Sequence, residues 1–198
     1  MKFLLDRLWR IAFDGNGRPL SSDMTRRGFL KVSSVFALSI MAPREGLAAA
    51  IPKRVLAFHN LHTEETWEAP YWAGGRYLKG ALAQINHIMR DHRTNQVKAI
   101  DTGLLDLLHA IRKRLGTDEP FQIVSGYRSP ATNAALCRKS SRVARRSLHL
   151  KGKAVDICLS ETPLSSLHQA AVSLRRGGVG YYPSSSFVHV DVGEVRYW

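Results

Sequence analysis

The stretch Ser147-Leu-His-Leu-Lys-Gly-Lys-Ala-Val-Asp156 sets an imidazole, His149, and a carboxylate, Asp156, seven positions apart with Gly152 between them. Glycine permits a sharp turn at that point. After the turn, Lys153–Leu159 reads as a strand, with Val155, Ile157 and Leu159 on one face and Ala154, Asp156 and Cys158 on the other. A carboxylate in an otherwise apolar strand is costly to bury unless something pairs with it. A divalent cation shared with His149 would do that. An Asp capping a neighbouring loop, with an unrelated surface His, would satisfy the same residues.

A second stretch bears on the choice. In Phe187-Val-His-Val-Asp-Val192, alternation places Val188, Val190 and Val192 on a core face and His189 and Asp191 on the opposite face with Phe187. His149, Asp156 and His189 would make three N/O ligands. That number leaves the fourth tetrahedral position for water, as catalytic rather than structural zinc sites do. H-E-x-x-H is absent, so a helix-borne zinc protease site is not indicated.

These side chains need a scaffold. Arg54–Leu61 reads as an opening strand. Tyr77–Met89, with Leu78, Leu82, Ile85 and Met89 at helical spacing, reads as a core-facing helix. Asp101 reads as the N-cap of a helix with Leu104, Leu105, Leu108 and Ile111 inward, and with His109 exposed. Phe121–Ser125 is a short buried strand. Ser129-Pro130, a cap followed by proline at the first helical position, starts a helix and fixes Arg128 at a strand-to-helix junction. There Arg128 projects into a cleft or pairs with a structural carboxylate. Thr162-Pro163 opens a further helix stopped by Gly177-Gly178, and Gly178–Tyr182 with Phe187–Val192 makes a hairpin. The expected fold is α+β, with helices packed against a mostly antiparallel sheet.

Ser125-Gly-Tyr-Arg-Ser129, Ser147-x-His149-x-x-Gly152-x-Ala154-x-Asp156 and a strand-borne His189 together resemble the D-Ala-D-Ala zinc carboxypeptidase and endopeptidase family. This is the LAS group, which also includes the hedgehog amino-terminal domain. Gly177-Gly-Val-Gly-Tyr-Tyr182, Phe187–Gly193 and Arg196-Tyr-Trp198 resemble its YcbK-like bacterial branch of murein peptidases. The resemblance implies a Zn2+ cofactor held by His149, Asp156 and His189, and peptidoglycan as substrate. It implies that Arg128 steadies the developing oxyanion and that Ser147 and Tyr127 contact the substrate peptide. Hydrolytic members carry an acidic general base three residues before the last His ligand; here that position is Ser186. Asp191 is the nearest carboxylate, as the base or as a residue orienting His189. The resemblance therefore implies a zinc metallopeptidase acting on peptidoglycan. The rival is a zinc-bearing wall-binding or partner-binding domain without hydrolysis, as in the hedgehog domain.

Residues 1–50 read as a twin-arginine signal peptide and residues 51–198 as one domain. Thr25-Arg-Arg-Gly-Phe-Leu-Lys31 is the signal core, Val32–Ala42 is too short for a membrane span, and Ala48-Ala49-Ala50 offers a cleavage site. Met24 is an alternative start. The expected destination is the periplasm or beyond, with the Tat translocase as partner during export and the membrane touched only through the signal segment. The chain of 198 residues holds 29 Lys and Arg against 16 Asp and Glu, a net charge of +13. Nucleic acid is the usual partner of such a balance, but an exported protein meets wall polyanions instead. Arg138, Lys139, Arg142, Arg145 and Arg146 could steer one toward the metal stretch, or line a solvated loop. Trp67, Tyr71, Trp72 and Tyr77 cap a core or line a groove. Cys137 and Cys158 are a disulfide or two buried thiols.

Overall fold

The computed structural model describes residues 52–140 and 143–198. The signal segment, its cleavage site, Met24 and Arg142 lie outside them. In chain order the elements are β1 (Lys53–Asn60), β2 (Thr66–Ala73), β3 (Arg76–Tyr77), α1 (Lys79–Ile88), α2 (Thr102–Leu115), β4 (Phe121–Ser125), α3 (Pro130–Lys139), β5 (Ala154–Cys158), α4 (Leu164–Ser173), β6 (Gly178–Tyr182), β7 (Phe187–Asp191) and β8 (Arg196–Tyr197). The strands form one sheet in the order β3-β2-β1-β4-β5-β7-β6-β8. Only β1–β4 and β6–β8 pair in parallel, so the sheet is mostly antiparallel and the fold is α+β.

Alternation decides the faces. Leu56, Phe58, Phe121, Ile123, Val155, Ile157, Val188 and Val190 recur at every second position of their strands and are all buried. They join Leu104, Leu105, Leu108 and Ile111 of α2 and Ile85 of α1 in one core. Asp101 caps α2 by accepting from the Gly103 amide at 2.8 Å, and Gly116 ends it in the left-handed region at φ 67°. Ser129 caps α3 by accepting from the Thr132 amide, with Pro130 at its first position. No helix of the described residues is long and apolar enough to cross a membrane.

Several details differ from the sequence expectation. Trp67, Tyr71 and Trp72 lie on a full strand, β2, in spite of Pro70. That proline sits where the β1–β2 register shifts and beyond the reach of the two-residue β3, so no ladder bond is lost. Tyr71 is buried, Trp67 stacks on Phe58 at 5.9 Å, and Arg54 lies over Trp72: the aromatics close the core rather than line a groove. His109 is half-buried with its ring against Tyr71. Both cysteines are free thiols, Cys137 donating to the Val143 carbonyl and Cys158 to Gln122 Oε1.

Candidate metal centre

The face of the sheet opposite the core carries the chemistry. On β5 and β7, Asp156 pairs directly across from His189, and Ala154 across from Asp191. Gly180 of β6 flanks His189 on the other side. Two central strands therefore bring a carboxylate and an imidazole together with no loop involved. His149 arrives from a one-turn 3-10 helix, Leu148–Lys151. Ser147 Oγ caps that turn by accepting from the His149 amide at 3.3 Å, and Gly152 ends it at φ 65°. A side chain at Gly152 would run into the Ala99 carbonyl, so the turn is pressed against the start of α2 as well as left-handed.

The ligand atoms form a small triangle. His189 Nδ1 is 2.8 Å from Asp156 Oδ1, His149 Nε2 is 3.3 Å from the same oxygen, and the two nitrogens are 3.2 Å apart. The far nitrogen of each ring is committed. His149 Nδ1 lies 2.7 Å from the Gly126 carbonyl, and His189 Nε2 lies 3.1 Å from Asp191 Oδ2. A carbonyl and a carboxylate only accept, so each far nitrogen carries the hydrogen. The two near nitrogens then point lone pairs at each other and at a carboxylate. A cation resolves that repulsion. Ligands at about 2.0–2.1 Å in a tetrahedron stand about 3.3 Å apart; two of the three separations, 3.2 and 3.3 Å, match this, and the third is shorter at 2.8 Å. The residues fit a divalent metal.

The same geometry sets the direction in which each group's proton affinity moves. Burial would raise the Asp156 carboxyl, but the His149 and His189 imidazoles outweigh it and hold it well below the usual carboxylate range. Complete burial pushes His149 down despite Asp156. Partial burial would lower His189 as well, yet its hydrogen bonds to Asp156 and Asp191 carry it above the usual imidazole value. Of the two rings, His189 therefore holds an added proton more readily than His149, on the nitrogen that faces Asp156.

Arg128 reaches the centre from the β4–α3 junction. Its Nη2 donates to Asp156 Oδ2 and its Nε to Ser125 Oγ at 2.8 Å. A register shift in β4 between Ile123 and Ser125 sets Ser125 against Asp156 and re-aims the strand end. Gly126 must lack a side chain, because a Cβ there would strike the Met89 carbonyl. Ser129 NH donates to Asp91 Oδ2 at 2.8 Å, which anchors the far end of the junction. Arg128 therefore both faces the cleft and pairs with a carboxylate, joining the two readings the sequence left open.

A cleft of about 560 Å³ opens over the triangle. Arg128, Ser147, His149, Asp156 and His189 line it, as the sequence pattern led one to expect. Two expected residues are placed otherwise. Tyr127 belongs to the hydrophobic core and does not line the cleft; residues 126 and 128 face the site, so the residue between them turns inward. Asp191 is wholly buried behind His189, where it accepts from the Gly178 and Gly193 amides and from Arg196 as well. Burial raises its carboxyl, but these donors and His189 bring it down to about 2. With its oxygens engaged and no face on the cleft, it stands behind His189 rather than beside a bound substrate. Tyr182, Phe187, Arg196 and Trp198 also line the cleft. Spacing gave only Phe187, on the His189 face. The Gly177–Tyr182 stretch was the signal for Tyr182, and the Arg196-Tyr-Trp198 end for the other two.

Comparison with known proteins agrees. Residues 48–198 match the family described as peptidoglycan L,D-endopeptidase MepK. The chain is 43% identical to peptidoglycan L,D-endopeptidase MepK of Escherichia coli strain K12, over 89% of this chain and 98% of that protein. It is 38% identical to the probable peptidoglycan L,D-endopeptidase MepK of Haemophilus influenzae, over 89% of this chain and 96% of that one. The crystal structure of Serratia marcescens L-Ala D-Glu endopeptidase ChiX is similar at TM-score 0.37 and 18% identity, over 57% of this chain and 87% of that one. A match across the whole described fold, at these identities, means that the chain belongs to the peptidoglycan L,D-endopeptidase MepK family.

Proposed function

We propose that this protein is a zinc metallopeptidase that hydrolyses peptide bonds in peptidoglycan, with His149, Asp156 and His189 as the metal ligands. One observation carries the reading: three ligand atoms stand 2.8–3.3 Å apart while Gly126 and Asp191 hold the far side of each ring. The relatives, peptidoglycan L,D-endopeptidases by name, support bonds of the L,D type within the wall peptides as the substrate.

When bound, the ion supplies Lewis acidity, acidifying a water and polarising the scissile carbonyl. The chain's residues do the rest. Gly126 and Asp191 fix the tautomers of His149 and His189. Arg128, locked to Asp156 through one nitrogen, presents the remainder of its guanidinium to the cleft, where it stabilises the tetrahedral oxyanion. Ser147 forms the wall beside His149 and offers the substrate backbone a polar edge.

A second reading is a metal-bearing wall-binding domain without hydrolysis. Its support is that Asp156 is the sole carboxylate among the described residues lining the cleft, with Ser186 at the position of the usual acid. Incubating the purified chain with muropeptides, with and without chelator, separates the two. New amines that vanish with chelator and return with zinc are expected; retention on sacculi with no new ends would establish the binder.

The route out of the cytoplasm belongs to the same proposal. Residues 1–50 are a twin-arginine signal, the Tat translocase is the export partner, and residues 51–198 are the mature periplasmic or secreted domain. Amino-terminal mapping of protein from the cell envelope is expected to find a start near residue 51. An intact leader there would refute cleavage.

A further inference from the structure

We propose that Tyr182 is a catalytic residue, its hydroxyl donating a hydrogen bond to the oxyanion that forms on the scissile carbonyl. This rests on the hydrolase reading of the centre. Tyr182 lies on the site face of β6: Gly180 pairs with His189 and Tyr182 with Phe187. That makes Tyr182 a diagonal neighbour of His189, a separation of about 7–8 Å between backbones that a tyrosine side chain spans. The ring is held in place. It stacks on Phe187 with centroids 4.6 Å apart, and its oxygen accepts from Trp198 Nε1 at 2.7 Å.

A phenol has one proton and two lone pairs. Trp198 fills a lone pair, so the O–H is directed elsewhere, and no acceptor for it exists among the described residues. Tyr182 lines the cleft over the metal triangle. The indole that orients it is itself fixed: Trp198 packs over His189 at 5.4 Å, and its backbone bonds to Val179 and Tyr181 on β6. Gly180 keeps this space open, since a Cβ there would meet both the Trp198 indole and the Tyr182 ring. Of the other donors on the cleft, Arg128 already spends one nitrogen on Asp156 and another on Ser125, and Arg196 is paired with Asp191. An oriented, unspent O–H on the cleft that holds the ligand triangle is the kind of donor that stabilises developing negative charge. Trp198 is a positioning residue for it.

Tyr182→Phe keeps the stacked ring and deletes the hydroxyl. In the zinc-loaded chain, kcat on muropeptides is expected to fall about 10²-fold, with KM, zinc content and thermal midpoint unchanged. Trp198→Phe is expected to lower kcat less, and to cost nothing further when added to Tyr182→Phe, because its indole N–H acts through the phenol. A kcat for Tyr182→Phe within twofold of wild type, or fully additive losses in the double variant, would overturn the assignment while leaving the hydrolase reading intact. Wild-type protein that cleaves no muropeptide would overturn both.

Discussion

Asp191 Oδ2 lies 3.1 Å from His189 Nε2, two residues along the same strand face, and so turns Nδ1 of that ring toward Asp156 and His149. The carboxylate does not meet the cleft. It stands behind the triangle, in the place that outer carboxylates of metal-binding histidines take.

Asp191→Asn is therefore expected to weaken zinc binding about 10- to 100-fold and to leave the hydrolytic rate near wild type once zinc is saturating. Competition with a chromophoric chelator gives the first quantity, and rates across a zinc titration give the second. A rate that stays low at saturating zinc would return Asp191 to the role of base.

Metal loading should depend on pH with a definite sign. The metal must displace the proton on His189, and that imidazole titrates above its ordinary value because Asp156 and Asp191 outweigh its burial. Zinc affinity is thus full above the raised value and falls as pH drops through it, starting at a higher pH than for an ordinary histidine. Zinc retention after equilibrium dialysis at stepped pH measures this. Retention that is flat down to the ordinary histidine range would contradict it.

Arg128→Lys is not conservative here. A guanidinium can hold Asp156 Oδ2, Ser125 Oγ and an oxyanion at once, whereas an ammonium on a flexible stem cannot match that fork. We expect kcat to fall about 10²-fold with zinc content preserved. Steady-state kinetics paired with metal analysis tests it.

Gly126→Ala should be costly although no catalytic atom is changed. The new methyl would strike the Met89 carbonyl, a backbone atom that cannot move aside cheaply, while the Gly126 carbonyl is what holds His149. A loss of about 1–3 kcal/mol of stability is expected, together with weaker zinc binding. Denaturant unfolding of the metal-free chain and a zinc titration check both.

Arg138, Lys139, Arg145 and Arg146 precede the His149 turn, and Arg146 lines the cleft. Binding to wall sacculi should weaken as ionic strength rises, because exposed charges are screened within about 10 Å at 0.1 M salt. Pull-down at stepped salt measures this, and binding indifferent to salt would remove the steering role.

Much of the molecule was readable from residue order. The strand-turn pattern around Gly152, the Val188/Val190 alternation, the Asp101 and Ser129 caps and the α2 stripe all describe local rules, in which period and capping are properties of neighbours in the chain. Strand β2 was obscured by Pro70, whose harmlessness depends on where the partner strand bulges. Tyr127 comes to the site only through the resemblance, and its place in the core is set by the irregular β4–α3 junction, where alternation does not say which side chain turns inward.

The sequence by itself determined which side chains could bind a metal and which strand faces they occupy, since both follow from residue type and period. Only the tertiary structure decided that Asp156 and His189 are cross-strand partners, that Gly126 and Asp191 fix both histidine tautomers, and that Trp198 returns to orient Tyr182. Those are pairings between distant segments, set by sheet register and by close backbone approaches at glycine, and a one-residue slip of any strand would send the same side chains to the opposite face.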